Sequence, residues 1–150
     1  MEIKIVERLA FAVAGLKHTG KNESNEIPQL WQALMPRAGE IKNLVENAAA
    51  YGVSANMDME TGEFDYFAGF EVSSAQNLPP GMVAFKVPGG RYAVFPTTLP
   101  QIGETYQNIF KTWLPEAGLQ ATGAPDFELY DEQFNAQDPS SVLYLYIPIE

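Results

Sequence analysis

The chain carries a partial copy of itself. Ile27–Gly39 (IPQLWQALMPRAG) can be laid over Tyr106–Gly118 (YQNIFKTWLPEAG), 79 positions further on, and each apolar helix position of the first stretch meets an apolar residue in the second. Pro36, Ala38 and Gly39 meet Pro115, Ala117 and Gly118 identically. Upstream, Phe11-Ala12-Val13 matches Tyr92-Ala93-Val94; downstream, Tyr66 falls near Tyr144. The competing explanation is two unrelated amphipathic helices that end alike. A duplicated strand–helix–strand–strand unit restricts the fold severely. One helix can cover only one face of its strands, as in α+β architectures. Two such units pairing edge to edge make a longer antiparallel sheet with helices on one face. The seam between them is then a groove, a common place for ligands.

The elements follow from periodicity and punctuation. Residues 2–17 alternate as one strand, or two broken near Arg8, with Leu9, Phe11, Val13 and Gly15 sharing a face. His18 to Glu26 is polar and loop-like, with Asn25 as a helix N-cap. Ile27, Leu30, Trp31, Leu34 and Met35 recur at helical spacing until Pro36. Ile41, Leu44, Val45, Ala48 and Ala49 repeat that spacing and predict a second, shorter helix. Tyr51–Asn56 and Glu63–Val72 read as strands around Thr61-Gly62, and Gly81–Val87 and Arg91–Pro96 as a hairpin around Pro88-Gly89-Gly90. Thr98 with Gln101 has capping-box spacing, with Pro100 in the first turn. Ile102, Tyr106, Ile109, Phe110, Trp113 and Leu114 form the buried stripe of the next helix, which Pro115 stops. Phe127–Phe134 and Ser141–Ile149 are the last strands. The whole reads as one domain over 1–150, with half-repeats of about 1–74 and 80–150.

Charge and composition narrow the function. Nine Lys and Arg against 19 Asp and Glu give a formal net charge of −10. A phosphate backbone is held by basic side chains, so direct nucleic-acid binding is not expected. A basic protein partner for the acidic surface is an open alternative, though solubility alone explains the charge. The chain has no cysteine and a single histidine, His18, so no zinc site or Ser-His-Asp arrangement is expected. The spacing of Asp58, Glu60 and Glu63 does not fit a calcium loop. No metal or cofactor is expected. Pro88-Gly89-Gly90 lacks the Lys-Ser/Thr of a phosphate loop. Neither a signal peptide nor a membrane span is visible, and the expected location is the cytoplasm.

The second half holds a recognisable string: Gly81–Phe95 (GMVAFKVPGGRYAVF), Ile109–Gly118 (IFKTWLPEAG), Phe127-Glu128-Leu129-Tyr130 and Tyr146-Ile147-Pro148-Ile149. Together these resemble the GyrI-like, or AraC-type, effector-binding family, best from Phe64 to Ile149. The resemblance implies two βαββ units about a pseudo-twofold axis with a groove between them. Members of that family are found attached to helix-turn-helix segments, where they sense lipophilic and often cationic compounds. Others stand alone as drug-sequestering or gyrase-affecting proteins, and a subset is described as hydrolases of electrophilic cyclopropane-type compounds. No helix-turn-helix lies in these 150 residues, so the expectation is a stand-alone bacterial member that binds a hydrophobic, cationic small molecule, with the hydrolase as the alternative. The family's ligand-facing glutamate sits in its Phe-Glu-x-Tyr strand and lands on Glu128.

Strand alternation puts Asp126, Glu128 and Tyr130 on one face and Phe127 and Leu129 on the other. If Phe127 and Leu129 face the helices, Glu128 faces the groove; a solvated strand carboxylate is what the residues alone leave open. Tyr144 and Tyr146 share a face and are candidate groove lining, able to hold a cation by their rings. Tyr66 is their counterpart in the first half. Trp31 and Trp113 lie on apolar stripes, and Trp113 is kept as a groove-edge contact. Met57 and Met59 read as loop. As a hydrolase, Glu128 would be base or nucleophile, with Tyr144 or Tyr146 as the acid.

Overall fold

Strand alternation begins at once and breaks at Leu9-Ala10, giving β1 (Lys4–Arg8) and β2 (Phe11–Gly20). The computed structural model describes residues 2–46 and 48–150. There follow α1 (Glu26–Leu34), β3 (Ala50–Ala55), β4 (Phe64–Val72), β5 (Val83–Val87) and β6 (Gly90–Thr98). Next comes α2 (Ile102–Asn108), which runs on through a π-helical turn (Ile109–Trp113) and a last α-turn (Leu114–Glu116). β7 (Asp126–Tyr130) and β8 (Val142–Pro148) complete the chain. The fold is α+β, an eight-stranded sheet in the order β1-β6-β8-β7-β3-β4-β2-β5, antiparallel at every pairing.

The two expected strands at 81–96 exist, but they do not form a hairpin. β5 pairs with β2 and β6 pairs with β1. Arg8 lies opposite Gly90 and Phe11 opposite Val87, so both pairings keep one register across a shared bend. Pro88-Gly89 redirects the chain instead of folding it back. There is room for that bend because residue 89 is glycine: a Cβ there would sit 2.8 Å from the Ala10 nitrogen.

Residues alternate between two differently covered faces. The helix-bearing face packs in two clusters: Leu34, Ala14, Tyr66 and Ala68 under α1, and Ile109, Phe95, Leu143 and Leu145 under α2. The other face buries Phe11, Tyr51, Val53, Phe67, Tyr92 and Phe127, with Val6 and Tyr146 packed on their edges. Over these rings lies the Arg8 guanidinium, 4.2 Å from the centre of Phe11 and 5.5 Å from that of Phe127.

Local departures have local causes. Asn25 is left-handed (φ 61°) and makes no side-chain cap; Asn22 Oδ1 accepts from the Ile27 N–H instead. Thr98 likewise makes no cap, and the neighbouring Thr97 hydroxyl bonds that of Thr105. After Leu34 the helix tightens into a 3-10 turn, Met35–Glu40, which contains Pro36. Pro115 does not stop α2. It lacks an N–H to return to the preceding turn, and the helix widens there into its π turn, leaving Phe110 45% exposed and off the stripe. The helix expected over 41–49 does not form in the described residues, and Asn47 within it lies outside them. Leu44 instead makes a bridge to Val72, with Val45 N–H donating to the Glu71 carbonyl, so strand pairing takes what the apolar spacing offered to a helix. His18 belongs to β2, not to a loop.

Candidate functional site

At the middle of the sheet β3 lies against β7, and Gly52 sits directly opposite Glu128. Glu128 is on the helix-bearing face, reversing the condition the sequence had set: Phe127 points away from the helices into the ring cluster. Glu128 is 8% exposed. Its Oε1 accepts from the Tyr66 hydroxyl at 3.0 Å and from the Tyr130 hydroxyl at 2.7 Å. The Trp31 indole N–H donates to the Tyr66 oxygen at 3.1 Å. β4 and β7 therefore meet at one carboxylate oxygen, and α1 reaches it only through the Tyr66 hydroxyl. Among the described residues, Oε2 accepts no hydrogen bond and no basic side chain pairs with the carboxylate.

Gly52 makes this arrangement fit. A Cβ at that position would overlap the Tyr66 hydroxyl and lie 2.7 Å from its ring carbon and 2.8 Å from Glu128 Oε1. Glycine in a strand interior marks such a close approach.

Burial drives the electrostatics. It raises the Glu128 pKa above the usual carboxylate range, and the two phenol hydrogen bonds pull it partly back. Burial, followed by the charge on Glu128, pushes the Tyr66 and Tyr130 hydroxyls upward, so both stay protonated as donors. Asp126, two residues earlier on the same face, is raised to about 7 by burial and then by Glu128, while the Tyr106 hydroxyl of α2 works against the shift.

Beside this cluster opens a cleft of about 680 Å³ between α1 and the segment after β7. Ile27, Trp31 and Met35 form one wall, Leu99 and Phe134 the other, and Tyr130 is shared with the carboxylate network. Trp31 and Tyr130 meet edge to face, ring centres 5.5 Å apart. Glu128 thus lies one side chain behind the aromatic wall of the cleft.

The sequence-named residues divide. Glu128 and Tyr66 come together. Tyr144 and Tyr146 lie on the opposite face: Tyr146 is registered against Phe127 and stacks on it at 4.7 Å, and Tyr144 is registered against Leu129. Trp113 stacks on Phe95 in the core under α2, ring centres 5.7 Å apart. The cleft takes the other tryptophan, Trp31, with Tyr130, which alternation had put beside Glu128 but which was not named as lining. The sequence signal available for Tyr130 was the tyrosine of the Phe-Glu-x-Tyr strand, while Gly52 in mid-strand marks the approach of Tyr66 to Glu128. Met57 and Met59 are exposed loop residues. No helix among the described residues is long and apolar enough to cross a membrane.

A sequence model for the GyrI-like small molecule binding domain matches residues 1–150. The transcriptional regulator BrlR of Pseudomonas aeruginosa is 43% identical over 99% of this chain, which spans only 56% of BrlR's length. Two solved structures share the fold. SAV2435 bound to tetraphenylphosphonium superposes with a TM-score of 0.74 at 17% identity, covering 100% of this chain and 94% of that one. The C-terminal domain of EcmrR superposes with a TM-score of 0.74 at 14% identity, covering 99% and 97%.

Proposed function

The chain belongs to the GyrI-like family of small-molecule-binding domains, and from that membership we propose that it holds a hydrophobic organic cation in the cleft beside Glu128. The domain extends over 1–150 and is built from half-repeats of about 1–74 and 80–150. Its task is sequestration or sensing of the ligand. One observation carries the reading: a buried carboxylate with no basic partner among the described residues stands directly behind an aromatic cleft wall.

The physics runs as follows. An ionised carboxylate out of water is costly unless paired, and two phenol donors offset only part of that cost. A cation entering the cleft meets the rings of Trp31 and Tyr130, each contact contributing about 0.5–2 kcal/mol when desolvated. It also supplies the charge that Glu128 lacks, in a setting where screening is weak. The apolar walls contribute further by losing contact with water. That tetraphenylphosphonium occupies SAV2435 supports the choice of a lipophilic cation.

Binding is favoured over hydrolysis. Tyr66 and Tyr130 both donate into Oε1 and both are held protonated by burial, which makes them poor proton donors to a leaving group. The test is a fluorescence titration of tetraphenylphosphonium against wild type and Glu128→Gln, with folding checked by circular dichroism. Glu128→Gln should weaken the complex about tenfold or more, the equivalent of ~1.4 kcal/mol. Equal affinity in a folded variant refutes the role of the carboxylate. Turnover of a cyclopropane-type electrophile, lost in Glu128→Ala, would replace binding with catalysis.

A further inference from the structure

The wall of the cleft opposite α1 belongs to a segment with few ties to the rest of the molecule. Eleven residues, 131–141, join β7 to β8, where the corresponding link between β3 and β4 has eight, 56–63, and no aromatic residue. The strands at its two ends are paired neighbours, with Leu129 opposite Tyr144, so the segment leaves and re-enters the sheet at one place. Its hydrogen bonds turn inward. The Gln133 N–H donates to Asp131 Oδ1, the Phe134 N–H to the Asp131 carbonyl and the Ser140 N–H to Asp138 Oδ1. At the neck the Asn135 N–H donates to Ser141 Oγ at 2.9 Å. Among the described residues, no hydrogen bond or ion pair runs from 132–140 to any part of the chain outside 131–141.

One side chain makes the attachment. Phe134 is the only large apolar residue of the eleven. Half-buried, it packs on the cluster under α2 and sets its ring against Tyr130 in a T-shaped contact, centres 4.9 Å apart. Trp31 meets Tyr130 from the α1 side at 5.5 Å. Phe134, Tyr130 and Trp31 thus form a row from one wall of the cleft to the other, and all three line it. A compact loop with close ends and few buried apolar contacts opens locally at far less cost than the body of the fold. The bonds inside 131–141 need not break for that movement; only the Phe134 contact must.

We propose that residues 131–141 are a lid on the cleft and that Phe134 is its latch, so that a ligand enters and leaves only when the Phe134 ring lifts off Tyr130. The inference rests on the proposed use of the cleft as the ligand site. Closed, the lid gives a bound lipophilic cation an aromatic contact and shuts it from water. Open, it uncovers the Tyr130 ring, whose hydroxyl donates to Glu128. The latch acts on the rates in both directions, because the same contact breaks before entry and before release.

Stopped-flow mixing with tetraphenylphosphonium, followed by tryptophan fluorescence, tests this in wild type, Phe134→Ala, Phe134→Leu and Tyr146→Ala, with folding checked by circular dichroism. Phe134→Ala should speed association and dissociation about fivefold or more, since a larger open fraction serves both, and change affinity less than either rate. Phe134→Leu should move both rates the same way by about twofold, and it carries the test if the alanine protein does not fold. Tyr146→Ala, which loosens the other face without touching the lid, should keep the wild-type association rate. A phenylalanine that merely lines the cleft would leave association unchanged when removed and raise dissociation alone. That pattern overturns the inference, as does equal acceleration in Tyr146→Ala. If wild type does not bind tetraphenylphosphonium, the parent reading fails and the lid has nothing to gate. Unchanged affinity in Glu128→Gln, with the Phe134 effect on both rates intact, removes the carboxylate's role and leaves the lid standing.

Discussion

Replacing Gly52 by alanine tests the site through its packing. A methyl group there would overlap the Tyr66 hydroxyl and press on the Tyr66 ring carbon at 2.7 Å and Glu128 Oε1 at 2.8 Å. Tyr66 has no exposed surface and cannot swing into water. Alanine in a strand should otherwise stabilise by about 0.4–1 kcal/mol, because the unfolded chain loses freedom. Against that stand the hydrogen bond from Tyr66 to a carboxylate, about 1.5–3 kcal/mol, and the one from Trp31 to Tyr66, about 0.5–1.5 kcal/mol. The net expectation is a loss of roughly 1–4 kcal/mol, read as a lowered urea midpoint with an unchanged slope. Ligand affinity should fall with it, since Glu128 loses a donor. The partner experiment is Tyr66→Phe. Without the hydroxyl most of the overlap is gone, so Gly52→Ala should cost much less in that background, a coupling of at least ~1 kcal/mol. If Gly52→Ala is as stable as wild type, or the two changes simply add, the close approach does not organise the site.

Asp126→Asn should change how stability depends on pH. The folded pKa of Asp126 is raised to about 7. The folded state therefore holds a proton that the unfolded chain releases near pH 4, and stability falls as pH rises from there to about 7. The asparagine variant should lack that decline and be the more stable of the two at pH 8, by up to about 4 kcal/mol; parallel denaturation curves at pH 5 and pH 8 would contradict it. Arg8→Ala should lower stability by about 1–3 kcal/mol through lost ring contacts with Phe11 and Phe127, with little effect on cation affinity; a large loss of affinity in a stable variant would join the two faces of the sheet. Tyr146→Ala should leave tetraphenylphosphonium affinity unchanged while thermal stability drops, because that ring stacks on Phe127 away from the cleft; weakened binding in a folded variant would put the ligand on the wrong face.

The order of elements and the acid of β7 were legible because they depend on local pattern. Alternation around Phe127 was enough to pair Asp126, Glu128 and Tyr130, and apolar spacing located α1 and α2. What sequence could not supply was the sign of each face. The overlay that set Tyr66 against Tyr144 is one residue out of phase. Tyr66 points toward the helices, while Tyr144 is registered with Leu129 on the other side. In a strand an odd slip reverses every side chain, so a correct strand still left Tyr144 and Tyr146 on the face away from the cleft. The partners of β5 and β6 were hidden for a different reason. Pro88-Gly89-Gly90 looks like a hairpin turn, and only the common register with the bend at Leu9-Ala10 reveals a ribbon formed with residues some 80 positions away. Which tryptophan meets the cleft was hidden too, because Trp31 and Trp113 both occupy apolar stripes and differ only in what lies under them.

On the proposed reading, the arrangement around Glu128 also keeps the carboxylate available to a cation. A buried carboxylate facing only hydrocarbon would take up a proton and lose its attraction for a cation. Tyr66 and Tyr130 work against that neutralisation by donating into one oxygen, and Trp31 holds Tyr66 in place through that same hydroxyl. The phenols are weak enough partners to leave much of the desolvation cost unmet. They are also hydrocarbon-rich enough to make the cleft wall favourable to a lipophilic ion. A lysine or arginine in place of either tyrosine would satisfy the carboxylate more completely and remove the reason to bind an external cation. On the proposed reading, then, the partial satisfaction of Glu128 is the source of affinity. Tyr130→Lys should stabilise the empty protein's carboxylate in its ionised form and at the same time abolish tetraphenylphosphonium binding. A Tyr130→Lys protein that folds, ion-pairs Glu128 and still binds the cation would refute that account, and separating the two effects requires only that the Glu128 titration and the binding isotherm be measured on the same sample.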